Sequence, residues 1–172
     1  MRLSTLLLVL ALAASWTPAS AMICELDAPP VLSITDETGD FTLTFTDFVS
    51  DSLSSTQEVT YRVQANNMAA GTVSPALTAE LGSAFDTAVL QGGLSSYSNL
   101  GESEFSTLEE AQPGYVDIGT SATSLAKKNP GTGHGEYCLD GNLVITWRAK
   151  LTADTPAGSE IRPLIVTLRD GN

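Results

Sequence analysis

Histidine is almost missing from this chain. His134 is the one copy in 172 residues, and cysteine occurs twice, as Cys24 and Cys138. That scarcity excludes much chemistry. A Ser-His-Asp arrangement would have to use His134, which sits in the Gly-rich stretch NPGTGHG, and no G-x-S-x-G elbow accompanies it. A zinc site with so few nitrogen and sulfur ligands would need several carboxylates. No dinucleotide-binding or P-loop glycine motif occurs. Basic residues are scarce too: Lys and Arg total 8 against 20 Asp and Glu, a formal net charge of −12. Such a surface repels nucleic-acid phosphates and anionic lipid heads, so neither is an expected partner. Glycosylation sequons, internal repeats and heptads are also missing.

What is present begins with a leader pattern. Arg2, the apolar stretch 6–16 and the small residues Ala19, Ser20 and Ala21 have the order of a secretory signal peptide cleaved after Ala21. Its apolar stretch is too short to span a bilayer, and no later stretch is long enough either. The expected mature chain, 22–172, is long enough for a single domain with its own core. The expected location is extracellular or on the cell surface. All 20 acidic residues fall in that mature part, and Arg2 alone of the 8 basic ones does not, for a mature charge of about −13. An even cysteine count in an oxidising compartment predicts a Cys24–Cys138 disulfide closing a loop of roughly 115 residues, with two free thiols as the alternative.

Strand signals dominate the rest. In 41–48, Phe41, Leu43 and Phe45 alternate with threonines. Val59, Tyr61, Val63 and Ala65 alternate with Thr60, Arg62 and Gln64. A weaker strand is expected within 114–125, and Leu164, Val166 and Leu168 form the last apolar face. β-branched and aromatic residues at period 2 suit a half-buried pleated surface. Pro29 and Pro30 precede a short first strand from Val31 to Ile34, and prolines there suit an edge. Asp140-Gly141-Asn142 has turn chemistry, so a hairpin is expected between 137–139 and 143–151. In its second arm Leu143, Ile145, Trp147, Ala149 and Leu151 share one face. Trp147 is then the expected centre of the core, and Arg148 and Lys150 point outward as guards against edge pairing. The predicted core is Phe41, Leu43, Phe45, Tyr61, Val63, Ile145 and Trp147.

The stretch 82–113 has poor periodicity. Ser83 to Leu90 has the look of a short helix, and Ser106-Thr107-Leu108-Glu109 has capping-box spacing before another. Charge is uneven: between Val63 and Ala126 there are acidic but no basic residues, which suits either a solvated face or a surface that meets a basic neighbour. No cofactor is expected. Asp36, Asp40, Asp47 and Asp51 place carboxylates where calcium could find oxygen ligands, but turn chemistry explains the same residues and EF-hand spacing is absent.

The fold expected from all this is an all-β antiparallel sandwich of about seven to nine strands with one or two short helices. The segments TWRAKLTADTPAGSEIRPLIVTL and VTYRVQANNMAAGTV resemble parts of secreted bacterial pilus and fimbrial subunits. Two features depart from the chaperone–usher pilins: the wide spacing of Cys24 and Cys138, and the ending Leu168-Arg169-Asp170-Gly171-Asn172. The resemblance implies a non-enzymatic structural subunit of a surface filament or matrix. Such a subunit pairs with its own copies or with other surface subunits, and Val31, Ile34, Leu164, Val166 and Leu168 are the candidate pairing residues. The alternative is a monomeric adhesion or glycan-binding module using Tyr97, Tyr115 and Tyr137.

Overall fold

The computed structural model describes residues 24, 31–154 and 158–170, and the expected leader 1–21 lies outside them. Two antiparallel sheets form a sandwich. One has five strands: β1 (Val31–Asp36), β2 (Gln57–Asn66), β8 (Leu139–Leu151), β4 (Ala88–Asn99) and β6 (Val116–Ile118), in that spatial order. The other has four: β5 (Thr107–Glu110), β7 (Thr123–Asn129), β3 (Leu77–Leu81) and β9 (Leu164–Leu168). A short 3-10 turn, Gly133–Tyr137, leads into β8.

The core fills the space between the sheets. β2 contributes Val59, Tyr61, Val63 and Ala65; β8 contributes Leu139, Leu143, Ile145 and Trp147. From the facing sheet come Leu77, Ala79, Leu81, Leu108, Leu125 and Leu168. Inward positions alternate with outward ones along each strand, as a pleat demands. The disulfide Cys24–Cys138, with Cα atoms 5.8 Å apart, ties the chain ahead of β1 to the residue before β8.

Four expectations give way. No helix forms in 82–113 among the described residues; β4 and β5 run through it instead. Gly92 lies inside β4, because Trp147 needs the room: a Cβ there would sit 2.5 Å from its ring. Second, Asp140-Gly141-Asn142 is no turn. β8 continues straight through it, and Gly141 is there because Tyr97 occupies the space 2.4 Å from where its Cβ would be. Third, 114–125 splits into β6 and the start of β7, one in each sheet. Fourth, 41–48 is no ladder strand. Phe41 and Leu43 still pack on the core, Phe41 stacking on Trp147 with ring centroids 6.0 Å apart. Phe45 is half-buried and does not join the core cluster.

The continuous β8 also revises the role given to Arg148 and Lys150. β8 lies between β2 and β4, at the middle of its sheet, so neither residue guards an edge. Arg148 lies over the Tyr115 ring at 3.8 Å and donates from Nε to Gln91 Oε1 at 2.8 Å. Lys150 pairs with Asp51 at 2.7 Å.

Among the described residues three charged ones are buried: Arg62, Asp140 and Lys128. Arg62 forms an ion pair with Asp140 beneath the 99–106 connection, where the Leu100 and Gly101 N–H groups donate to the Asp140 carbonyl. Asp140→Asn removes that charge while keeping the shape. It is expected to cost about 3–5 kcal/mol, because the buried Arg62 loses its counter-charge, measured by urea unfolding. Lys128 is fully buried and donates to the carbonyls of Ala69 and Glu136, the second at 2.8 Å. Burial holds its ammonium below the usual lysine pKa, and Glu136 partly offsets this.

Burial also raises the phenol pKa of Tyr61 and Tyr97, with Asp36 and Asp140 adding to the respective shifts. Both rings stay protonated in the fold while their unfolded counterparts ionise near pH 10. The stability they contribute is therefore fully present below about pH 10 and lost above it, by up to about 1.4 kcal/mol per ring per pH unit. In a phenolate absorbance titration, these two of the 4 tyrosines are expected to ionise only as the protein unfolds.

Candidate functional site

Each sheet has two edges, and the four differ in how they are protected. β6 spans three residues and carries Asp117; β5 spans four and carries Glu109 and Glu110. Short, charged edges resist pairing with another chain. β1 and β9 are different. The strand VLSITD is free of charge until Asp36 at its end, and LIVTL carries none.

β1 and β9 belong to different sheets but lie on the same side of the sandwich and approach one another there. Each has one neighbour only: β1 pairs with β2 from Val31↔Asn66 to Asp36↔Tyr61, and β9 with β3 from Leu77↔Leu168 to Leu81↔Leu164. Their opposite backbone edges have no strand beside them among the described residues. Between them lies a groove of about 480 Å³ lined by Leu32, Pro75, Thr167, Leu168 and Arg169.

Apolar side chains stay in solvent along this side. Val31 is 44% exposed, Leu32 43% and Ile165 46%. Val31 is on the outer face of its sheet, since its neighbours Leu32 and Ile34 pair with the inward Ala65 and Val63. Ile165 is likewise outward, opposite Glu80. Ile34, Leu164 and Val166 turn inward and pack against the core, and Leu168 is buried within it.

No family model matches this chain. No curated protein or solved structure is significantly similar to it either. The site therefore rests on its own geometry.

Of the pairing residues named from sequence, Val31 is outward and exposed, while Ile34, Leu164, Val166 and Leu168 anchor the two strands to the core. Sequence reading missed Leu32, Ile165 and Thr167, and read Arg162 and Arg169 as guards of these edges. A signal for Ile165 was available: an isoleucine at the polar phase of an alternating strand.

Other candidates disperse. Tyr97 lies against Gly141, Tyr115 lies under Arg148 and Tyr137 is in the 3-10 turn, so the three tyrosines form no common platform. His134 is exposed in that same turn. Asp36 Oδ1 accepts the N–H groups of Thr38 and Gly39 at 2.8 and 2.9 Å, which is turn chemistry. Among the described residues no three His, Cys, Asp or Glu side chains gather into a metal-holding group.

Proposed function

We propose that the mature chain is an exported structural subunit of a surface filament or matrix, and that it self-associates by strand pairing through β1 and β9. One observation carries the reading. The two edges without internal charge are on the same side of the sandwich, beside solvent-exposed Val31, Leu32 and Ile165. An open, uncharged, apolar edge is a template for another strand. The leader pattern and the disulfide agree with export to an oxidising compartment. On this reading the protein works by packing and pairing, not by turnover.

The test is sedimentation velocity on residues 22–172 over a concentration series, with negative-stain microscopy of the same samples. Species heavier than a monomer, growing with concentration, are expected. The double variant Val31→Lys/Ile165→Lys should return the protein to monomer with its unfolding midpoint nearly unchanged, since exposed substitutions cost within about 0.5 kcal/mol. A monomer at the highest soluble concentration would overturn the proposal.

A further inference from the structure

We infer that the strand-paired unit is a closed two-fold dimer in which β1 of each copy pairs antiparallel with β9 of the other. The inference rests on the self-association reading and narrows it.

Direction comes first. The Val31 end of β1 pairs with Asn66, at the end of β2. Just beyond β2, the Ala69 N–H donates to the carbonyl of Asp170, just beyond β9. The start of β1 and the finish of β9 are therefore at the same end of the sandwich, and the two strands run antiparallel across the open side. A second copy that presents its own open side can dock in two symmetric ways. A two-fold axis along the strands sets β1 against the partner's β9, antiparallel, and does so twice. An axis across the sandwich, running from sheet to sheet, sets β1 against β1 and β9 against β9.

Charge chooses between them. Asp36 and Glu37 lie at the end of β1, with no basic residue in the stretch 31–37. β9 is bracketed by Arg162 and Arg169, with Glu160 and Asp170 beyond them. Pairing β9 with β9 sets Arg162 of one copy beside Arg169 of the other. Mixed pairing sets Asp36, at the end of β1, toward Arg162. Arg162 already holds Glu160 at 2.9 Å and Asp86 at 3.9 Å, while Arg169 enters none of the ion pairs among the described residues. Opposite charges across a ladder favour pairing and like charges oppose it.

Closure follows from the shared side. Because both edges face the same way, one neighbour satisfies both, and the five-stranded sheet of each copy continues into the four-stranded sheet of the other.

The experiment uses Ser33→Cys and Thr167→Cys, which lie on the outer faces of β1 and β9, with a short bis-maleimide. Native cysteines are bonded to each other and do not react. Mixing the two single variants should give a cross-linked dimer that neither gives alone. The double variant Ser33→Cys/Thr167→Cys should stop at the covalent dimer. A ladder of higher multimers would overturn closure and indicate open head-to-tail chains. Cross-linking of either single variant alone would overturn the mixed pairing and leave self-association standing. No cross-link, with oligomers still seen in sedimentation, would place the contact elsewhere and overturn the inference alone. No cross-link with a pure monomer would overturn both.

Discussion

Unlinking Cys24 from Cys138 is expected to lower the stability of the protein by about 4–5 kcal/mol, its largest single loss. The bond spans 114 positions. In the chain-entropy account, the cost of restricting so long a loop is charged to the unfolded chain, so removing the bond frees that chain more than the fold. The native side adds to the effect. Cys138 is fully buried at the entrance to β8, the middle strand of its sheet, whereas Cys24 precedes an edge strand held by one neighbour. The bond therefore fastens the approach to an edge strand to the middle strand of the sheet. Cys24→Ser keeps the buried Cys138 side chain in place and isolates the cross-link from packing. With a urea slope of about 2 kcal/mol/M, its midpoint should fall by on the order of 2 M. Amide exchange in Val31–Asp36 should accelerate more than in β2 or β8. An unchanged midpoint would mean that the β1–β2 ladder alone holds the N-terminus.

This anchoring bears on function. An edge strand that frays offers no fixed template, and ordering it on binding would consume part of the gain from pairing. A covalently tethered β1 is already extended and in register. On the strand-pairing reading, Cys24→Ser should weaken self-association as well as stability, although neither cysteine is in the ladder.

The sequence made the inward faces of β2, the later part of β8 and β9 readable, because each alternates cleanly between apolar and polar residues. It misled wherever a residue answers to a distant neighbour. Gly92, Gly93 and Gly141 look like turn residues, yet two of the three make room for Trp147 and Tyr97, contacts that arise only once the strands are paired. Asp140, Arg62 and Lys128 look solvent-facing, yet the 99–106 connection and the carbonyls of Ala69 and Glu136 enclose them. The threonine-alternating stretch 41–48 has a strand's pattern, but β2 and β8 pair with each other, and 50–54 runs beside the end of β8 instead. Ladder partners are long-range, so which strands end as edges could not be read from period-2 alternation. The open side of β1 and β9 follows from strand order, and only a three-dimensional arrangement supplies that.

Trp147→Ala is expected to cost about 3–5 kcal/mol. The indole is 0% exposed at the centre of the sandwich. Phe41 stacks on it from the 41–48 segment, and β4 faces it with Gly92, a residue without a side chain. A cavity left there is hard to refill. Gly92 has nothing to extend into it, and β4 is held rigidly by its long ladder with β8. Phe41 would lose its stacking partner, so the damage should spread to the connection between β1 and β2. Trp147→Phe should recover part of the loss, because a smaller ring still meets Phe41. The converse change, Gly92→Ala, puts a methyl 2.5 Å from the ring and overpacks the same spot, at about 1–3 kcal/mol. Trp147 is the one tryptophan after Trp16, so fluorescence cannot follow its removal and circular dichroism in urea is the measurement. If Trp147→Ala and Gly92→Ala are combined, the alanine methyl partly fills the vacated space, and the pair should cost less than the sum of the two. Strict additivity would mean that the ring and Gly92 do not share one space, and that the account of this core is wrong.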